Sequence, residues 1–329
     1  MEAYPFYMVE IGNDINKAAQ LLENGGLVGI PTETVYGLAA NAFDDEAVLK
    51  VFKAKDRPSF DPLITHIKNP EELDRLATHV PEKARILMDH FWPGPLTLVL
   101  PRSETVSDLI TSGLPTAGFR MPRHQLTQEL LSRLSFPVVA PSANPFGYIS
   151  PTTPSHVAEQ LSEKIDYVLN GGRCSIGIES TILGFENNQA HILRQGGVSK
   201  ESLESCIGKL SPYNETNQIV SPGMFGSHYA PRKPLYLGNI DELLTQFSSK
   251  KVGVLYFKNV PEAGVNYSLA PHRTLDEAAC RLFFGLRWLE KQDIDLILAE
   301  QVPNEGIGRA VNDRLMCASV NNTLSHENN

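Results

Sequence analysis

The chain has 329 residues, 42% of them hydrophobic and 20% charged, with a formal net charge of −9. That is material for about two domains with sizeable cores, and it excludes a wholly disordered polymer. The acidity excludes a general nucleic-acid-binding surface, so any phosphate binding has to be local.

Taken in order, Asp14 to Glu23 reads as an amphipathic helix, with apolar Ile15, Ala18, Ala19 and Leu22 at helical spacing and Gly25-Gly26 to end it. Leu27 to Ile30 is a short buried strand, and Ala47 to Ala54 a second helix with Asp44 and Asp45 at its start. Leu63 to Ile67, Leu96 to Leu100, Ala117 to Phe119 and Val138 to Ala140 are strand candidates, with helices near 81–91 and 123–134 between them. The alternation predicts an α/β domain with a sizeable sheet over residues 1–206. Residues 207–234 are polar and rich in helix and strand breakers, and read as a linker. A second α/β unit follows over 235–329. Its strands fit Leu235–Leu237, Val252–Phe257 and Ile294–Leu298, and its helices 274–292 and 308–319.

No stretch approaches the roughly 18 consecutive apolar residues of a membrane helix. The first residues, Met1-Glu2-Ala3-Tyr4-Pro5, lack the basic and apolar regions of a signal peptide. Cys174, Cys206, Cys280 and Cys317 form no C-x-x-C pair, so reduced thiols in a cytoplasm are expected rather than a zinc site. Residues 1–205 hold 17 Lys and Arg against 25 Asp and Glu, so basic residues gathered at one place there need a reason.

Several segments carry chemistry. Pro31 to Leu38 puts two threonine hydroxyls, a carboxylate and a phenol directly after a buried strand, where ligands of open α/β sheets sit. Lys55 and Arg57 are two residues apart, so they share no helical face. A non-helical run lets both point into one cavity, and Pro58 favours extended backbone at Arg57. Compensation of the helix dipole is the plainer reading of these cations. His66 ends a short apolar strand, a place where a histidine is commonly structural. Thr116 and Arg120 lie on one strand, and Arg suits a two-point grip on a carboxylate or phosphate. The strand at 138–140 opens into Ser142-Ala143-Asn144. No G-x-S-x-G surrounds Ser142, so a serine hydrolase is set aside. No G-x-x-x-x-G-K-[ST] occurs, and Gly306-Ile307-Gly308 lacks the third glycine of a dinucleotide fingerprint.

In this order, these segments resemble one family, the YrdC-like threonylcarbamoyl-AMP synthases. The resembling motifs are Pro31-Thr32-Glu33-Thr34-Val35-Tyr36-Gly37-Leu38, Lys55-x-Arg57-Pro58 with Pro62-Leu63 and His66, and Trp92-Pro93-Gly94-Pro95-Leu96-Thr97. They continue with Arg120-Met121-Pro122, Pro141-Ser142-Ala143-Asn144, Glu179-Ser180-Thr181 and Leu193-Arg194-Gln195-Gly196. Ser221-Pro222-Gly223-Met224, His228-Tyr229-Ala230-Pro231, Gly306 to Val311 and Asp313-Arg314-Leu315 resemble the family's long form. Asp56 and Gln195 depart from it, standing where Gly and Pro are frequent.

The resemblance implies a twisted open sheet with a concave basic face, and a smaller Rossmann-like α/β unit joined by a linker that reaches the active site. It implies a nucleotidyltransferase that makes L-threonylcarbamoyladenylate and pyrophosphate from L-threonine, bicarbonate or CO2, and ATP. Other proteins, the tRNA threonylcarbamoyltransferases, then modify adenosine 37 of tRNAs that read ANN codons. Carried onto this sequence, Thr32, His66, Arg120, Ser180 and main-chain groups of Ala140 would hold threonine. Lys55, Arg57, Thr116, Ser142, Asn144, Ser150, Arg194 and Tyr229 would hold ATP. A magnesium ion (Mg2+) accompanies ATP, with no all-protein carboxylate cage visible. Lys55 and Arg57, taken as exposed side chains, should affect turnover and leave stability nearly unchanged. Asp56 should point away from the ligand, and residues 221–231 should form a flap that Tyr229 closes over the nucleotide.

Two other readings are set aside. An RNA-binding module fits poorly with the acidic first domain, in which no two Lys or Arg are adjacent. A carbamoyl-transfer partner domain would bring acylphosphatase and zinc-finger segments, and none is found. No stable nucleic-acid or membrane binding is expected.

Overall fold

The fold is described by a computed structural model covering residues 9–186, 189–212, 229–262 and 264–320. The first strands are β1 (Ile11–Gly12), β2 (Val28–Ile30), β3 (Gly37–Asn41), β4 (Ile64–His66) and β5 (Leu96–Pro101). They continue with β6 (Thr116–Arg120), β7 (Val138–Val139), β8 (Tyr167–Leu169), β9 (Thr181–Glu186) and β10 (Gln189–Arg194). The ten form one mixed sheet in the order β1-β8-β2-β3-β7-β4-β6-β5-β9-β10. Its helices are α1 (Ile15–Glu23), α2 (Asp45–Lys55), α3 (Leu73–Leu76), α4 (Glu82–Phe91), α5 (Asp108–Thr111), α6 (Gln125–Arg133), α7 (Pro154–Leu161) and α8 (Lys200–Ile207).

Local chemistry sets these boundaries. Asp14 caps α1 by accepting from the Lys17 N–H, and Asp44 caps α2 by accepting from Glu46 and Ala47. Asp45 and Glu46 in the first turn of α2, and Lys53 and Lys55 in the last, complement the helix dipole. Alternation along the strands splits the apolar residues between two faces. Val28, Ile30, Val138 and Tyr167 pack with α1 and α6, while Leu38, Val139, Val168 and Phe119 pack with α2 and α4.

The second unit holds β11 (Leu235–Leu237), α9 (Ile240–Gln246), β12 (Val252–Tyr256), β13 (Val265–Ser268), α10 (Leu275–Glu290), β14 (Leu296–Ala299) and α11 (Gly308–Ala318). Its all-parallel sheet runs β11-β14-β12-β13. Strand β14 begins two residues later than expected because Ile294 N–H closes a turn onto Gln292 and the Asp295 carboxylate accepts from the Lys251 N–H.

The two units share a core. Val35, Ile149 and Ile178 of the first pack with Phe283, Leu286 and Leu315 of the second. Arg287 on α10 is 5% exposed and donates to the Ile149 carbonyl and, at 2.8 Å, to Gln160 Oε1. The sheet thus places β4, β6, β7, β9 and β10 around a hollow to which Tyr229, just ahead of the second unit, adds one wall residue. Of the expected linker, residues 213–228 lie outside the described residues, and with them most of the proposed flap.

Candidate functional site

Lys55, Arg57, Arg120 and Arg194 come from three separate parts of the sheet domain and line one cavity. Ser142, Asn144, Ala140, His66, Ser180 and Tyr229 line it too, so ten of the thirteen expected site residues meet there.

At one end, Arg120 is 4% exposed. Its Nη2 donates to Glu33 Oε1 at 2.7 Å and its Nε to the Gly94 carbonyl at 3.2 Å. Glu33 Oε2 also accepts from the Arg123 N–H at 2.9 Å. Burial pushes the Glu33 carboxyl up, but the charge and hydrogen bond of Arg120 outweigh it and hold Glu33 below its ordinary range. Ser180 Oγ meets Thr97 Oγ1 at 2.8 Å, and the Ala140 N–H is given to the Ile64 carbonyl at 3.1 Å. Burial and the nearby Arg120 charge push the His66 imidazole down to about 3, so it is neutral.

At the other end, Lys55 is 1% exposed and donates to the Ser142 carbonyl and, at 2.6 Å, to the Asn144 carbonyl. This corrects the expectation of an exposed lysine. Its ammonium stitches the loop after β7 to the end of α2, with one N–H left for a ligand. Burial and the Arg57 charge push its pKa well down. Lys55→Ala is therefore expected to lower stability by about 2–4 kcal/mol as well as turnover, because two carbonyls lose their donor. Chemical denaturation beside a turnover assay checks both. Arg57 is also sequestered: its Nε donates to the Asp61 carbonyl at 3.1 Å and its Nη2 to the Pro62 carbonyl at 2.8 Å. Arg194 donates to the Ser180 carbonyl at 3.0 Å. Asn144 gives its Nδ2 hydrogens to Pro145 and Tyr148 carbonyls and leaves Oδ1 without a donor.

Three expected residues lie outside the cavity wall. The Thr32 hydroxyl is spent on its own turn, donating to the Val35 carbonyl at 2.5 Å and meeting Thr34 Oγ1 at 2.7 Å; Thr34 lines the cavity instead. The Ser150 hydroxyl donates to Glu179 Oε1 at 2.6 Å. Thr116 starts β6, four residues and about 13 Å along the strand from Arg120.

The sheet domain and the second unit each match a known family model. Residues 20–196 match the Sua5/YciO/YrdC model, described as Telomere recombination. Residues 198–320 match the model described as Threonylcarbamoyl-AMP synthase, C-terminal domain. The chain belongs to the Sua5/YrdC family. A protein of Pyrococcus abyssi (strain GE5 / Orsay) named threonylcarbamoyl-AMP synthase is 41% identical over 321 residues, covering 93% of this chain and 94% of that one. One of the same name from Bacillus subtilis (strain 168) is 40% identical over 322 residues, covering 93% and 92%. The crystal structure of P. abyssi Sua5 complexed with L-threonine superposes with a TM-score of 0.88 at 40% identity, covering 95% of this chain and 97% of that one.

The two-domain Sua5 architecture gives the site a residue that its sequence motif did not explain. Arg314 on α11 has a side chain 1% exposed, and its Nε donates to Glu179 Oε2 at 2.9 Å. Its Nη2 donates to the Gln195 carbonyl at 2.9 Å, and its guanidinium lies 5.0 Å from the Tyr229 ring centroid. Tyr229 is itself buried and stacks on Phe283 with ring centroids 5.5 Å apart. It is seated as part of the cavity wall.

Asp56 adopts a left-handed backbone (φ 52°) at the end of α2, the conformation glycine accepts most readily. Its side chain points to the surface, away from the cavity as expected, and there it pairs with Lys164 at 2.9 Å. Asp56→Gly is expected to raise stability by up to about 1 kcal/mol, since left-handed relief outweighs loss of an exposed ion pair. A shift in the denaturation midpoint reads it directly.

Acid sensitivity follows from two histidines. His156, like His66, is pushed down to about 3, by burial and by the charges of Arg287, Lys291 and Arg173. In the unfolded chain both take a proton near pH 6.5, whereas in the folded chain they resist it. Their contribution is fully present above pH 6.5 and is lost as pH falls toward 3, by up to about 1.4 kcal/mol per pH unit for each. A double variant, His66→Gln with His156→Gln, should lose less stability between pH 7 and 5 than the parent chain.

Proposed function

We propose that the protein is an L-threonylcarbamoyladenylate synthase, joining L-threonine, bicarbonate or CO2, and ATP into threonylcarbamoyl-AMP with release of pyrophosphate. The observation that carries the reading is the two-ended cavity. One end offers Arg120 beside a neutral His66, the other gathers Lys55 and Arg57 near the unfilled Asn144 oxygen, and Arg194, bonded to Ser180, stands within reach of both.

The chemistry suits these groups. The threonine amine attacks CO2 to give a carbamate, and a carbamate oxygen attacks the α-phosphorus in line as pyrophosphate leaves. No side-chain nucleophile is required, so the protein's work is positioning and charge neutralisation. Arg120 has Nη1 to spare for the threonine carboxylate once Glu33 and Gly94 have taken their share. A neutral His66 leaves the amine without an adjacent cation of its own making, and the free amine is the nucleophile. Lys55, Arg57 and Arg194 face the end where charge builds on the leaving group. Magnesium bound with ATP would supply further neutralisation of the phosphates. The product is the activated donor for threonylcarbamoyl transfer to tRNA by partner enzymes in the cytoplasm.

Pyrophosphate release should require threonine and bicarbonate together, measured with each component omitted in turn. Release that proceeds equally well without threonine sinks the assignment.

A further inference from the structure

Asp61 lines the phosphate end of the cavity with a side chain 0% exposed. Neither carboxylate oxygen accepts a hydrogen bond. Arg57 Nη2 comes within 2.8 Å of Oδ2, so the two charges are paired. The N–H groups of Arg57, however, are aimed at the carbonyls of Asp61 and Pro62. A buried carboxylate with open lone pairs is costly, and its place in a functional cavity calls for an explanation.

Asp61 is paired with Arg57, and the charges of Arg57, Lys55 and Arg194 favour its ionised form. It therefore faces the nucleotide end rather than the amine end. Charge counting then narrows its role. A triphosphate brings about four negative charges at neutral pH and Asp61 a fifth. Lys55, Arg57 and Arg194 offer at most three positive ones, so at least two negative charges remain. The remainder matches one divalent cation. Magnesium characteristically takes one or two carboxylates together with substrate phosphates, and the open oxygens of Asp61 are hard donors of that kind. Among the described residues no group of three acidic, His or Cys side chains forms a cage, so the nucleotide would supply the other ligands.

We propose that Asp61 is a direct ligand of the magnesium ion that enters with ATP, exchanging its pairing with Arg57 for the metal as Arg57 turns to the phosphates. This rests on the nucleotide site proposed above. Burial also favours a proton on Asp61, and a protonated Asp61 donating to a phosphate is the competing outcome.

The test uses the full chain, Mn2+ as a paramagnetic probe and α,β-methylene-ATP, whose α–β bridge cannot be cleaved. Mn2+ affinity in the enzyme–analogue complex is read by electron paramagnetic resonance, and analogue affinity in EDTA by calorimetry. Asp61→Asn should weaken Mn2+ by about tenfold or more, while binding the metal-free analogue more tightly than the parent chain does. Unchanged Mn2+ affinity, or equal weakening with and without metal, overturns the proposal; a protonated Asp61 would give the latter. If the Asn variant does not fold, Asp61→Glu carries the test. It should alter the Mn2+ spectrum and affinity, and identity with the parent in both overturns the proposal. Failure of the parent chain to bind the analogue at all overturns the nucleotide-site reading itself.

Discussion

Arg314→Ala is expected to destabilise the protein by about 3–5 kcal/mol and to abolish turnover. The substitution leaves the Glu179 carboxylate buried without its countercharge, the costly way to break a buried ion pair. Burial alone pushes Glu179 up; Arg314, with Arg194 and the Ser150 hydroxyl, holds it below its ordinary range. The loss spreads, because Glu179 also fixes Ser150, and Arg314 packs on Tyr229 in the cavity wall. A double-mutant cycle with Glu179→Gln separates the pair from its surroundings: the Gln variant should recover part of the lost stability in the Arg314→Ala background. Additive losses would mean the two residues act independently.

Arg120→Lys should raise the Michaelis constant for threonine by about 10- to 150-fold, the loss of one charge-assisted contact, and move that for ATP much less. A lysine ammonium cannot reach Glu33, the Gly94 carbonyl and a substrate carboxylate in the geometry of a planar fork. Since Glu33 loses its partner as well, the same variant should unfold more easily, and the threonine constant has to be read on the folded fraction. Steady-state kinetics with threonine and ATP varied separately decides it. An unchanged threonine constant would leave Arg120 as a structural clamp on Glu33 alone.

Most of the cavity's wall segments were visible in the sequence as a strand end, a helix end before proline or a loop after a strand, but it was the family resemblance that joined them into one site and brought in Ser180, Arg194 and Tyr229. What stayed hidden depends on distance or on direction. Glu179 and Arg314 are 135 residues apart, and no local pattern pairs them. Thr32 and Thr34 carry the same hydroxyl two residues apart, and only the turn's own hydrogen bonds decide which one the cavity sees. Lys55 looked exposed because a lysine at a helix end commonly is; its burial is set by the 142–144 loop, far along the chain. Strands β1 and β8, two and three residues long, are too short to show a period of two, and they are defined by their partners.

The Arg314–Glu179 pairing also sets an order of events on the ribosome. After Glu179 is made, 135 further residues must be added before its bonded partner Arg314 exists. At roughly 5–20 residues per second that is about 7–27 seconds. During this interval the nascent sheet domain carries an acid that lacks its bonded guanidinium, with only the charge of Arg194 and the Ser150 hydroxyl to favour its ionised form. A helix of the second unit therefore completes the first domain's interior, and the sheet domain is not fully built until α11 has been made.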